Sequence, residues 1–147
     1  MIAIRLVRLI EGHCDDLARS LMEKLQTSTQ LEDLHRVPRE ELEERVKEIY
    51  GNLCNWLLRK TERDIERLYT SIGMRRAAQG VRPSTVIFAI LATKEHLWEF
   101  LAREGRVDRP LELFQEIELL RLVEKFFDRA VYYAARGFEL AQKSRAA

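Results

Sequence analysis

The sequence has few of the residues that punctuate or cross-link folds: six glycines, three prolines and two cysteines in 147 residues. So few breakers disfavour a turn-rich β architecture and suit long helices joined by short loops. Cys14 and Cys54 have no CxxC partner, which speaks against zinc-ribbon and dithiol redox chemistry and predicts two buried thiols in a reducing compartment. Charge of one sign is also lacking. The chain carries 25 basic and 24 acidic residues, a net charge of +1, whereas a dedicated nucleic-acid binder carries a basic excess. No apolar run approaches the roughly 18 to 20 residues that cross a bilayer. Residues 1–10 are apolar but contain Arg5 and Arg8, and no small-residue cleavage site follows them, so they are not read as a secretory signal. The expectation is a cytoplasmic protein with no membrane and no nucleic-acid partner.

Catalytic and metal-binding patterns are equally sparse. The three histidines, His13, His35 and His96, form no HExxH or paired-His spacing. His13 falls on an apolar helix face, His35 in a polar connector, and His96 beside Lys94, Glu95 and Glu99 on a flank expected to be solvated. The acidic pairs Asp15-Asp16, Glu40-Glu41 and Glu43-Glu44 lie near basic residues on predicted solvent faces and read as surface charge patterning. With no phosphate loop and no serine elbow, no enzyme, metal or cofactor is expected.

What the sequence does have is helical periodicity. A hydrophobic content of 46% with 33% charged residues predicts a folded chain, and 147 residues fit one domain spanning 1–147. Residues 2–25 place Ile2, Leu6, Ile10, Leu17, Leu21 and Leu25 on one face of a first helix, and Leu31 and Leu34 suit a short helical turn. Pro38 and four following glutamates suit the start of a second helix ending near Arg59. Thr61 with Asp64 predicts an N-cap for a third helix, faced by Ile65, Leu68, Ile72 and Met74 and closed by a left-handed Gly80. Pro83 and Ser84 open a fourth, with one stripe of Val86, Ile90, Leu97 and Leu101 and an adjacent one of Ile87, Leu91 and Trp98; Gly105 stops it. Three inward faces together predict a core of Trp56, Leu68, Ile72, Ile87, Leu91 and Trp98 that could enclose an apolar ligand.

The last helix, residues 111–143, carries two seams. One is Leu113, Ile117, Leu120, Phe127, Val131, Ala134 and Phe138, interrupted by Glu124; the other is Leu119, Val123, Phe126, Ala130 and Tyr133. One seam docks a helix on its own domain, so the second points to another chain. The expected homodimer interface draws on Leu120, Phe126, Phe127, Val131, Ala134 and Phe138, with the choice of seam open.

The run Arg75-Arg76-Ala77-Ala78-Gln79-Gly80-Val81-Arg82 can be read as charge complementing a helix C-terminus, as a buried arginine pinning two helices, or as an anion or partner site. Continued through Pro83-Ser84-Thr85-Val86-Ile87 to Glu95-His96-Leu97-Trp98, it resembles the N-terminal sensor domain of the RsbR-type co-antagonists of the bacterial stressosome and of related histidine kinases. Arg75, Arg76, Gln79 and Gly80 are the core of that motif. The resemblance implies a globin-like, non-haem, all-α bundle of about five main helices with a long C-terminal helix. It also implies a homodimer built on the last two helices, and signal transmission through the last helix to a STAS-type or kinase output domain or partner. The alternatives are a stand-alone binder of an apolar molecule such as a fatty acid, or a haem gas sensor. Because no histidine falls in residues 61–80, where a globin-like fold places its proximal ligand, haem titration is expected to give no stoichiometric Soret shift; a stable shift lost in His13→Ala would reverse that reading.

Overall fold

The computed structural model describes residues 4–104 and 110–146. It is all-α, with no strand among the described residues, and has eight helical elements rather than about five. Six are α-helices: α1 (Ile4–Gly12), α2 (Cys14–Thr27), α3 (Arg39–Gly51), α4 (Glu62–Ala78), α5 (Pro83–Glu104) and α6 (Pro110–Ala146). A 3₁₀ segment, Thr29–Arg36, follows α2, and a π-helical segment, Asn55–Arg59, follows α3. The expected stop at Gly105 lies outside the described residues.

The extra elements arise where weak helix formers interrupt an otherwise correct apolar pattern. The expected first helix breaks at His13, whose backbone (φ −106°, ψ 17°) follows Gly12. The break is a kink: the His13 N–H is shared between the carbonyls of Leu9 and Ile10, and Leu17 N–H already donates to His13. The apolar face carries through it, burying Leu6, Val7 and Ile10 and then Leu17, Ala18, Leu21, Met22 and Leu25. The expected second helix likewise bends at Gly51-Asn52, two poor helix formers in succession. Beyond it, Lys60 N–H donates to the Asn55 carbonyl five residues back at 2.7 Å, the signature of a π turn. This wider turn seats Trp56 against Phe126 of α6, ring centroids 5.7 Å apart.

The caps behave as the sequence predicts. Thr61 and Asp64 form a reciprocal capping box at the start of α4. Gly80 follows α4 at φ 79°, the left-handed conformation that favours glycine.

α4 and α6 approach each other closely at two glycines. A Cβ on Gly73 would collide with the Ala134 carbonyl oxygen and lie 3.0 Å from Gly137 Cα. A Cβ on Gly137 would collide with the Thr70 carbonyl oxygen and lie 2.9 Å from Met74 N. The two backbones touch, and buried Ala77, Ala130 and Ala134 extend the small-residue seam. Gly137 therefore has a packing reason that outweighs its helix cost of about 1 kcal/mol.

Gly73→Ala and Gly137→Ala are each expected to destabilise by about 1 to 3 kcal/mol or more, because the obstruction is backbone. Gly12→Ala, where nothing lies within 4 Å, is expected to stabilise by about 0.4 to 1 kcal/mol. Urea unfolding of the three variants checks the opposite signs.

Candidate functional site

The centre of the bundle holds a cavity of about 90 Å³ between α3, α4, α5 and α6. Its walls are mostly aliphatic, from Leu42, Val46 and Ile49 on α3 to Val86 and Ile90 on α5, with Phe127 of α6 closing one side and Arg45 and Arg76 at the edge. Of the six residues expected to line a pocket, Leu68 and Ile72 do so. Trp56 is buried but lines a separate depression beside Phe126. Ile87 is half-buried and Leu91 exposed, so the second stripe of α5 faces outward while the first, Val86, Ile90, Leu97 and Leu101, faces the core. Met74, expected on the inner face of α4, is also exposed. Trp98 stands at the α5–α6 junction, donating from Nε1 to Glu124 Oε1 at 2.8 Å. The correction on α5 has one cause. Both stripes of α5 are apolar, and sequence spacing does not say which is covered.

Beside the cavity the arginine motif forms a clamp. Arg76 is 3% exposed and its Nη1 donates to Glu41 Oε1 at 2.6 Å and to Gln79 Oε1 at 2.9 Å. Arg75 donates to both Glu41 oxygens. The pinning reading of the motif therefore holds: α4 is fastened to the first turn of α3. Hydrogen bonding from Arg75 and then Arg76 outweighs burial and holds the Glu41 carboxyl down at about 2. Glu41 is thus an exception to the expectation that the acidic pairs are surface charges. A second clamp lies one turn away. Asp33 accepts from the Arg82 backbone N–H at 2.8 Å, from Arg82 Nε at 3.2 Å and from Thr85 Oγ1 at 2.6 Å. Burial would raise the Asp33 carboxyl, but those bonds together hold it well below the usual carboxylate range. Arg36 completes the set by donating to the Gly80 carbonyl at 2.7 Å. Both clamps tie the 3₁₀–α3 stretch to the α4–α5 turn. Sequence reasoning found the arginines but missed Glu41 and Asp33, whose partners lie 34 or more positions away.

The residues proposed for a dimer separate into two groups. Phe126, Phe127, Ala134 and Phe138 are buried within their own chain, as are Leu119, Val123 and Ala130. They are corrected to intramolecular core. Leu120 and Val131 remain partly exposed. Further large apolar side chains are open to solvent: Leu113, Phe114 and Ile117 on α6, Phe88 and Leu91 on α5. Glu124, which interrupts the outer seam, is held by Trp98 and by Lys94 Nζ at 3.1 Å. Helical spacing puts Leu91 with Trp98, and Ile117, Leu120 and Val131 with Glu124, so the two exposed stripes flank one seam.

The titratable residues differ from expectation in three places. His96 is buried at 3% exposure, its Nδ1 2.9 Å from Lys24 Nζ, and burial followed by the Lys24 charge lowers its pKa. His13 is exposed at the α1–α2 kink, its Nδ1 2.8 Å from the Leu9 carbonyl, whereas His35 is exposed as expected. Cys14 and Cys54 are partly exposed free thiols rather than fully buried ones. Among the described residues no group of histidine, cysteine and acidic side chains is placed to hold a metal, and no helix is long and apolar enough to cross a membrane.

The family model of the RsbT co-antagonist protein rsbRD N-terminal domain matches residues 15–147. The chain belongs to that family. No curated protein and no solved structure matches it. Membership assigns a regulatory role in stressosome signalling. The RsbRD-type match starts at Asp15, so α1 lies outside it, while the arginine clamp, the cavity and the α5–α6 face lie within.

Removing one partner of a buried ion pair leaves an uncompensated charge, at a cost of about 3 to 5 kcal/mol. Glu41→Ala is expected to fall in that range and Arg75→Ala, whose side chain is mostly exposed, within about 1 kcal/mol. Because the folded pKa of Glu41 lies below its unfolded value near 4.5, its contribution is complete above that value and lost as pH falls towards 2. Denaturation between pH 6 and 2.5 should therefore show a steeper loss in the parent than in Glu41→Gln.

Proposed function

We propose that this domain acts as a homodimeric sensor that passes a signal along α6 to an output domain or partner of the STAS or kinase type. The observation that carries the reading is the unpartnered apolar face of α5 and α6. Leu113 and Ile117 are each about half exposed and Phe114 is 68% exposed, on the same helix whose other face is fully engaged with α4. Phe88 and Leu91 add a second exposed apolar cluster on α5, on the other side of the Trp98–Glu124 contact from the first. A two-fold axis through such a face brings two helices from each chain together, and the same residues meet their copies. Each large side chain gains about 1.5 to 3 kcal/mol on full burial. Since each is only about half exposed, ten such side chains, five from each chain, gain about 7 to 15 kcal/mol, comparable with an association cost of about 4 to 15 kcal/mol. The route to the output is short. Phe127 of α6 forms part of the cavity wall, so a change in the core acts directly on the helix that also carries the exposed face.

A second reading, an apolar ligand in the cavity, is supported by its aliphatic lining and by Arg45 at its edge. At about 90 Å³ the cavity is smaller than the roughly 150 Å³ that holds benzene. A long-chain fatty acid therefore requires α3 to part from α4 and α5, and the two clamps are what such a ligand has to loosen.

Sedimentation at tens of micromolar is expected to show a dimer. Ile117→Glu and Phe88→Glu should convert it to a folded monomer, and Lys143→Glu should change nothing. Phe127→Glu should instead unfold the chain. A monomeric parent protein would remove the reading's main support.

A further inference from the structure

At the opposite end of α4 from the clamps, the π turn, the α4 N-terminus and the middle of α6 enclose a depression of about 160 Å³. Its floor is aromatic, formed by Trp56 and Phe126, and Ile65 and Leu122 add apolar wall. Its rim is cationic. Lys60 lies with Nζ 5.5 Å from the Trp56 ring centroid, and Lys125 and Arg129 face it from α6. One carboxylate, Glu62, lies among the lining residues, and it is paired with Arg129 at 2.6 Å. Lys60 acts on the Asp64 carboxylate without closing an ion pair with it, and Lys125 has no ion pair among the described residues. Trp56 is itself nine-tenths buried, and its Nε1–H is a buried donor with no acceptor.

These features do not follow from packing alone. Lys60 over the Trp56 ring makes a favourable cation–π contact, but that does not account for Lys125, and a buried indole N–H without an acceptor is costly. The π turn is what brings Trp56 and Lys60 to the same rim, and π turns recur at functional sites. We infer that this depression is a binding site for a small organic carboxylate with a flat or short apolar body. The body would lie on Trp56 and Phe126, and the carboxylate would be held by Lys60 and Lys125. The volume agrees, since roughly 150 Å³ suffices for benzene. An inorganic anion would leave the aromatic floor unused. A long acyl chain exceeds the space.

The test uses Trp56 as its own reporter. In a Trp98→Phe background, benzoate is expected to change Trp56 fluorescence saturably, whereas inorganic phosphate at equal concentration and ionic strength is not. Lys125→Ala, at an exposed position, should weaken benzoate at least about tenfold with unchanged far-UV circular dichroism, as losing one charge-assisted contact implies, and Lys125→Arg should restore most of it. No saturable change with benzoate overturns the site. So does an equal response to phosphate, which would mean surface cations alone, and so does a benzoate response indifferent to Lys125→Ala.

Discussion

The contact between the backbones of α4 and α6 at Gly73 and Gly137 governs the rest of the fold. Neither position has room for a Cβ. The approach sets the axial register and the rotation of α6 together, because a turn of either helix would drive a carbonyl into its neighbour. With that rotation set, Phe126, Phe127, Ala130, Ala134 and Phe138 necessarily point inward, where Phe126 meets Trp56 and Tyr69. The outer seam is then left for solvent or for another chain. A single pair of small residues thus decides which of two apolar seams becomes core.

This explains what was and was not legible in the sequence. Apolar periodicity, the Thr61–Asp64 capping box, the left-handed Gly80 and the length of the last helix all depend on neighbours within a few positions, and each was readable. The kink at His13 and the π turn after Asn52 were not. In both, the apolar face continues across the break, so the pattern that reveals a helix conceals its interruption. The assignment of seams failed for a different reason. Leu91 and Ile90, or Phe126 and Ile117, are equally apolar, and only packing against distant helices distinguishes them, for α6 the crossing with α4. Gly137 was the available signal, since a glycine inside a long helix is otherwise a cost and marks a close approach.

The polar architecture follows the same logic of long-range partners. Arg76 is charged and buried, which is tolerable only with Glu41 and Gln79 supplying acceptors. Asp33 does the same for Arg82 and Thr85 across the α4–α5 turn. Neither pair is worth much as a source of stability against a well-packed apolar alternative. What they supply is specificity of position. The 3₁₀–α3 stretch covers one side of the cavity, and it is held there by charges that cannot shift register without leaving a buried ion unpaired. The apolar walls alone would accept several placements.

The two kinds of contact divide the domain into a part that cannot move internally and a part that can. α4 and α6 are locked by backbone contact, so a relay through α6 cannot rely on rotating α6 against α4. The cover of the cavity, in contrast, is fastened by a small number of side-chain bonds at one edge. Loosening those bonds displaces α3 relative to a rigid α4–α6 pair. The α5 helix is placed between these regimes. Its inner stripe lines the cavity through Val86 and Ile90, its outer stripe carries Phe88 and Leu91, and Lys94 and Trp98 tie it to Glu124 of α6. On the proposed sensor reading, a change in the cavity that reaches α6 through Phe127 would also shift α5 along α6, altering the shape of the exposed two-helix face without disturbing the glycine contact. In a dimer built on that face, the same shift occurs twice about the symmetry axis, and the two copies of α6 change their spacing together.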